Sequence, residues 1–474
     1  MKRIYSIITI CTLALAATSC NFLDEDLKGS YSSENYYTTA GKAEMAVNAV
    51  YNSLYGNTLW IFGDVASDDA VKGGSAGDQA EIDNIDKYNP TPDNGCLSTF
   101  WQNSYETISR ANNVITYVPD VSMDEKTRDR YVSEAKFFRA WAYFNLVNIF
   151  GQVPLKLKPQ NTSEAIHVGL SSTDKIYDQI ETDLSEAAPL LPTSYGADAG
   201  RVTQGAAYAM LAKVRLFRNN WTGALEAMNN FDLITDVYDL EENYADLFKA
   251  GAENSVESVL SIRYINNNET SIGNNLNVWF SPALEGGYYF DAPTQSYVDC
   301  FDELTTAGET DPRLDASIGR DGQPWFNGTT FSSSWSEATG YLVKKYNEDI
   351  SEEFAKSQST VPQHLIRYAD VLLIKAEALN ENKQTALAAV ELDKVRARAG
   401  LAPTTASSQA EMRDAIRKER RRELGFEFHR FFDVMRYGKE YAEKALGSDF
   451  KWSEPRFYYP IPQAETDANA ALNK

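Results

Sequence analysis

Ile366 to Gly400 reads IRYADVLLIKAEALN, then Glu381-Asn382-Lys383, then, after Gln384, TALAAVELDKVRARAG. Each flank carries helical periodicity over about fifteen residues and is rich in Ala. The polar residues between them make a turn, so the segment predicts a helix–turn–helix pair. Small side chains let paired helices approach closely and stack on neighbours. Thr203 to Phe231 has the same build, with Ala206, Ala207, Ala209 and Ala212, a turn at Asn219-Asn220 and a second helix from Trp221. These pairs resemble tetratricopeptide units. They are divergent and unevenly spaced, so periodicity alone also allows generic antiparallel hairpins.

Working outward, Ser133 to Phe150 is apolar around most of its circumference and predicts a buried helix, ended by Gly151 and Val153-Pro154. Ser172 to Leu191 opens on a Ser/Thr cap and repeats Ile176, Ile180 and Leu184 at four-residue steps. Residues 61–99 and 267–345 are rich in Gly, Asn, Asp, Ser, Pro and aromatics, without helical period. Loops this long usually carry function. The expected scaffold is helical, chiefly 100–231 and 360–440, with the ligand site on the loops.

At the N-terminus, Lys2 and Arg3 precede an apolar stretch from Ile4 to Ala17. It is shorter than the ~20 residues a spanning helix needs and matches a signal peptide. It ends in Ala17-Thr18-Ser19-Cys20, which resembles a bacterial lipoprotein cleavage box, with Ala17 where Leu is commoner. The expectation is a signal peptide over 1–19, lipidation of Cys20 and one domain from 20 to 474. Several acyl chains anchor stably where one does not. The next residues, Asn21 to Asp26, end in the acidic triplet Asp24-Glu25-Asp26. A calcium loop starting at Asp24 fails, because Lys28 and Asn35 stand where oxygen ligands are required.

The chain has 474 residues and a formal charge of −22, which becomes −24 once Lys2 and Arg3 are removed. So acidic a surface repels nucleic acids and favours neutral or cationic ligands. The run Arg417-Lys418-Glu419-Arg420-Arg421-Arg422 is therefore read as a helix face paired with Glu419, Glu423, Glu427 and the acidic body, not as a nucleic-acid patch. Cys11 leaves with the signal and Cys20 is lipidated, so Cys96 and Cys300 allow at most one disulfide. His167, His364 and His429 form no metal-ligand motif, and neither a nucleophile elbow nor a phosphate loop occurs. No cofactor or metal is expected. With 67 Asp and Glu a glycosidase pair stays open as an alternative, as does an adhesive surface protein.

Six stretches in order resemble the SusD/RagB family of Bacteroides-type surface lipoproteins. They are Phe22-Leu23-Asp24, EAKFFRAWAYFNLVNIFGQVPL (134–155), GRVTQGAAYAMLAKVRLF (200–217), IRYADVLLIKAEALNE (366–381), AIRKERRRELGFEFHRFFDVMRYGK (415–439) and YPIPQAETDAN (459–469). The resemblance implies a mostly α fold, with four tetratricopeptide-like helix pairs in a right-handed superhelical scaffold and an irregular, long-loop half. It implies a non-catalytic oligosaccharide-binding protein facing outward on the outer membrane, the acidic triplet resembling the family's export tag. The implied partner is a TonB-dependent SusC-like transporter, on which the lipoprotein sits as a lid.

Sugars offer a C–H face to aromatic rings and a hydroxyl rim to polar side chains. Gly286-Gly287-Tyr288-Tyr289-Phe290 matches the family segment that places an aromatic in the glycan site, making Tyr288 and Tyr289 the first candidates. Asp68 and Asp69 match a family acidic pair, with Lys72 after them; Asp68 could instead bond its own backbone. Tyr88, Asn89 and Trp325 complete the candidates, each with ordinary packing as the alternative. Trp141 and Trp221 belong to helix packing.

Overall fold

The computed structural model describes residues 36–56, 58–196, 199–234, 237–266, 271–349 and 358–473. The expected signal peptide, Cys20 and the acidic triplet lie outside them.

The helical scaffold begins with α1 (Ala40–Asn52), whose Thr39 cap accepts the Lys42 amide. After β1 (Ala70–Gly73) and α2 (Ala80–Asp86) come α3 (Gly95–Tyr117) and α4 (Glu125–Phe150). From Ser133 to Phe150 every α4 residue except Lys136 is buried, as the all-round apolar pattern requires. Gly151 stops the helix at a φ of 72°, a conformation glycine adopts without strain. α5 (Thr173–Ala187) packs on α4 through Ile176, Ile180 and Leu184.

α6 (Gln204–Phe217) and α7 (Trp221–Asp232) form the next pair, turning at Arg218–Asn220. Ala206, Ala207, Ala209 and Ala212 are all buried on α6, where their small side chains allow neighbouring elements to approach closely. After β2 (Ser258–Ile262), α8 (Leu276–Phe280), β3 (Phe290–Pro293), α9 (Gln295–Asp299) and β4 (Gln363–Arg367), the opening stretch of sequence folds as α10 (Tyr368–Glu381) and α11 (Thr385–Arg398). α12 (Gln409–Leu424), α13 (Arg430–Arg436) and α14 (Lys439–Leu446) close the scaffold. Ser408 and Glu411 form a reciprocal capping box on α12.

The helix expected from Ile366 begins two residues later. Ile366 and Arg367 are the end of β4, which pairs antiparallel with β2. All five β4 residues are buried, so their apolar run reads locally as either element.

A buried ionic web ties α12 to its surroundings. Arg367 binds Glu427, Glu423 and Glu257, and Arg313 binds Asp311, Glu419 and Glu423. Lys345 meets Glu427 at 2.7 Å. Glu419, Glu423 and Glu427 thus serve chiefly cations from other elements, while the arginines of the run pair, as expected, with the acidic body around them: Asp370, Asp433, Asp69, Asp302 and Glu303. Of the run's own cations only Arg422 approaches Glu419, at 3.8 Å.

Candidate functional site

The irregular half is organised by the two-stranded ladder β1–β3, with Ala70 opposite Pro293, Val71 opposite Ala292 and Gly73 opposite Phe290. At one end, the Gly74 amide donates to the Tyr289 carbonyl at 2.9 Å. A Cβ on Gly73 would stand 2.5 Å from that same oxygen, so only glycine lets the strands close here. The 281–289 loop is equally tight. A Cβ on Gly287 would stand 2.2 Å from the Ser281 carbonyl oxygen, and the amides of Tyr288 and Tyr289 donate to Val278 and Ser281 at 2.8 and 2.9 Å.

This backbone holds Tyr288 outward, its side chain 50% exposed. The ring stands edge-on to Trp279, centroids 5.4 Å apart, and Trp279 rests on Trp60 and Phe290. Leu284, on the same loop, is also exposed. Tyr289 turns the other way with φ of 44°, its hydroxyl hydrogen-bonded to Ser75 Oγ at 2.6 Å. Beside Ser75 opens a groove of about 510 Å³, lined by residues 71–78 with Asp83, Asp86, Lys87 and Glu337. Burial raises the Asp86 carboxyl to about 6, against the pull of the Lys72 amide that donates to it at 2.9 Å. Tyr288 offers a face for stacking and the polar groove offers groups for hydroxyl recognition, but Tyr288 is not among the groove's lining residues.

The other expected site residues, Asn89 apart, have structural work. Lys72 is buried; its ammonium donates to the Ser75 and Asp78 carbonyls at 3.1 and 2.7 Å and lies over the Phe290 ring. It shapes the groove wall. Asp68 and Asp69 sit at the far end of the ladder. Arg430 grips Asp68 through two hydrogen bonds of 2.7 and 2.8 Å, and Arg421 meets Asp69 at 2.6 Å. Burial would raise the Asp68 carboxyl, but Arg430 and Arg421 outweigh it and hold it below the usual range. Tyr88 packs among Phe431, Phe450 and Phe457 and donates its hydroxyl to the Ala66 carbonyl, while Asn89 next to it is exposed. Trp325 is buried among Phe326, Phe331 and Trp335, its indole N–H donating to Glu285 at 3.0 Å. These positions are not gathered into one surface; Tyr288 alone of the aromatic candidates stands well exposed.

Trp279 was not singled out from the loop segment 267–345; the signal was an aromatic within reach of a glycine-hinged Tyr-Tyr. Among the described residues no group of His, Cys, Asp or Glu could hold a metal ion, and no helix is long and apolar enough to cross a membrane. Cys96 and Cys300 are both free thiols. His364 is buried and His429 partly buried, and desolvation lowers them to about 4 and 3, so they stand neutral inside the protein.

Stacked helix pairs displaying an aromatic on an irregular loop define a tetratricopeptide-like binding scaffold. Residues 256–474 match a family model described as the SusD family, and residues 21–216 one described as starch-binding associating with the outer membrane. The chain belongs to the SusD/RagB family. It is 27% identical to SusD-like protein P2 of Formosa agariphila over 98% of each chain. Its fold is similar to that of a SusD-like carbohydrate binding protein from Bacteroides fragilis, with a TM-score of 0.79, 25% identity, and coverage of 93% of this chain and 100% of that one. A laminarin binding SusD-like protein superposes with a TM-score of 0.78 at 29% identity, over 91% of this chain and 98% of that one.

Proposed function

We propose that this protein is a non-catalytic glycan-binding lipoprotein, anchored through Cys20 on the outer face of the outer membrane, that captures oligosaccharides for import. Tyr288 carries the reading: it is a half-exposed ring locked by its backbone and braced on Trp279. Such a ring stacks on a sugar face with little ordering cost, because the loop is already fixed. The groove beside Ser75 supplies carboxylates, Lys87 and backbone groups for the hydroxyl rim. The family and the relative named as laminarin binding make a neutral glucan the first polymer to try.

The lipoprotein works, on this reading, as a lid on a TonB-dependent SusC-like transporter. Two weak sites that hold one chain gain through effective concentration. Affinity gel electrophoresis with laminarin and other neutral polysaccharides tests the binding. Retardation by at least one polymer, lost in Tyr288→Ala, is expected. No retardation together with release of reducing sugar would replace the reading with a hydrolase. Solubilised membranes should yield a large barrel protein on pulldown; the lipoprotein alone would remove the transporter from the proposal.

A further inference from the structure

The basic run on α12 is absorbed by the fold at every position but one. Arg420 meets Asp370 at 2.8 Å and Asp433 at 3.2 Å, and Arg421 meets Asp69. Arg422 reaches Asp302 and Glu303 at 2.6 and 2.8 Å, and Lys418 reaches Asp302 at 2.5 Å. Arg417 has neither an ion pair nor a hydrogen bond among the described residues. Its guanidinium lies over the rings of Tyr437 and Tyr441, 4.1 and 5.2 Å from their centroids, and its Nε is shut from water without a partner. Stacking fixes the plane of the fork but leaves its N–H donors unused.

Arg417 lines a cavity of about 450 Å³ walled by α12, α14 and the Asp68 end of the ladder. Lys444, one helical turn beyond Tyr441, lines the same cavity and is likewise without an ion pair among the described residues. Arg421 and Arg430 complete the wall, already neutralised by Asp68 and Asp69. The carboxylate of Asp414, also in the lining, lies within ion-pair distance of none of these cations. A chain of charge −22 has carboxylates to spare for its cations. Two cations left over around one concave space, one of them pre-aimed by stacking, form a site that an oxyanion completes.

We propose that this cavity is a subsite for an anionic substituent of a sugar, a sulfate ester or a carboxylate, held by Arg417 and Lys444. The sugar rests on the glycan-binding reading above; the anion preference stands on the cavity. The four-residue ladder places it ~13 Å along the strand direction from the Ser75–Tyr289 end, so the charged group is recognised apart from the aromatic platform. An otherwise acidic surface would then repel polyanions broadly while admitting a chain whose charge falls at this cavity.

The test is a thermal-shift titration of the protein with sodium sulfate against sodium chloride at matched ionic strength, followed by calorimetric titration with a galacturonate oligomer and a neutral glucan oligomer. Sulfate should raise the melting temperature beyond chloride, and both Arg417→Gln and Lys444→Gln should abolish that excess. The galacturonate affinity should fall about tenfold or more in each variant, with neutral-glucan affinity unchanged. Equal responses to sulfate and chloride in the wild-type protein would overturn the subsite, even with neutral-glucan binding intact. So would an unchanged sulfate response in Lys444→Gln, whose exposed side chain the fold does not need. A sulfate response without galacturonate binding would overturn the sugar-borne source and leave a site for free anions.

Discussion

Tyr288 stands edge-on to Trp279, with planes inclined at 69° and centroids 5.4 Å apart, and the two rings play different parts. Tyr288 is half exposed, while Trp279 is partly buried against Trp60 and Phe290. Removing the outer ring should therefore cost binding, and removing the inner one both binding and stability. Tyr288→Ala should weaken a bound glucan about tenfold, roughly 1.4 kcal/mol, with stability changed by no more than about 0.5 kcal/mol. Trp279→Ala should cost about 2–3 kcal/mol of folding stability as well. Calorimetric titration and urea melts of both variants separate the two roles. Unchanged affinity in Tyr288→Ala would remove the platform.

Asp68 and Arg430 are a buried pair joined by two hydrogen bonds, so Asp68→Asn leaves the buried guanidinium with only the more distant Asp69, 4.0 Å away, as counter-charge. The expected cost is about 3 kcal/mol, read from urea midpoints. Glycan affinity, measured where the variant is still folded, should stay within twofold. A large loss of affinity without loss of stability would return Asp68 to the ligand site.

The helical hairpins were legible because their signal is local: Ala206 to Ala212, or the run from Val371 to Leu379, states its own periodicity. The exposure of Tyr288 was legible for a similar reason, two glycines freeing the backbone just before it. The parts of Asp68 and Asp69 were not, since their arginine partners lie more than 350 residues along the chain. Nor does the run itself show why Arg417 alone is left over, since the acids that take its neighbours are scattered from 13 to 352 residues away. β4 was lost to α10 because five buried residues carry no period that separates strand from helix.

Glu427 is fully buried, and burial alone would raise its carboxyl; Arg367 and Lys345 reverse this and hold it at about 2. Its folded value is thus depressed below the unfolded one, ~4.3. The stabilisation it carries is present above that value and is lost as pH falls through about 2. Chemical melts between pH 6 and 2.5 should show stability falling below about pH 4.3. In Arg367→Met, less stable throughout, that acid-side slope should be shallower. An equal slope in the variant would assign acid lability to other carboxylates.

Cys96 and Cys300 are both pushed up to about 12, chiefly by burial. Less than about one part in a thousand of either is thiolate at pH 8, so a thiol reagent should label neither quickly in the folded state. Both should react in 6 M-range denaturant within the dead time of a manual assay. Rapid labelling of one thiol without denaturant would show that its side of the structure opens locally.

Asp291 is fully buried with both carboxylate oxygens unpartnered, and it neighbours Asp64 and Asp69, each with one oxygen in the same condition. Burial first, then the charges of Asp69 and Asp86, raise its carboxyl well above the usual range. The sign is opposite to that of Glu427: a raised folded value means stability is highest below ~3.9 and declines as pH rises toward the folded value. Its backbone φ of 55° is one that asparagine adopts readily. Asp291→Asn removes the ionisable group while keeping the shape, so it should stabilise the protein by about 1–2 kcal/mol at pH 7.5. That gain should shrink as pH falls toward ~3.9 and vanish below it, where the aspartate is protonated in both states. Melting temperatures of the two proteins across pH 4 to 8 should therefore diverge as pH rises. Parallel curves would show that this carboxyl has a partner the fold alone does not supply.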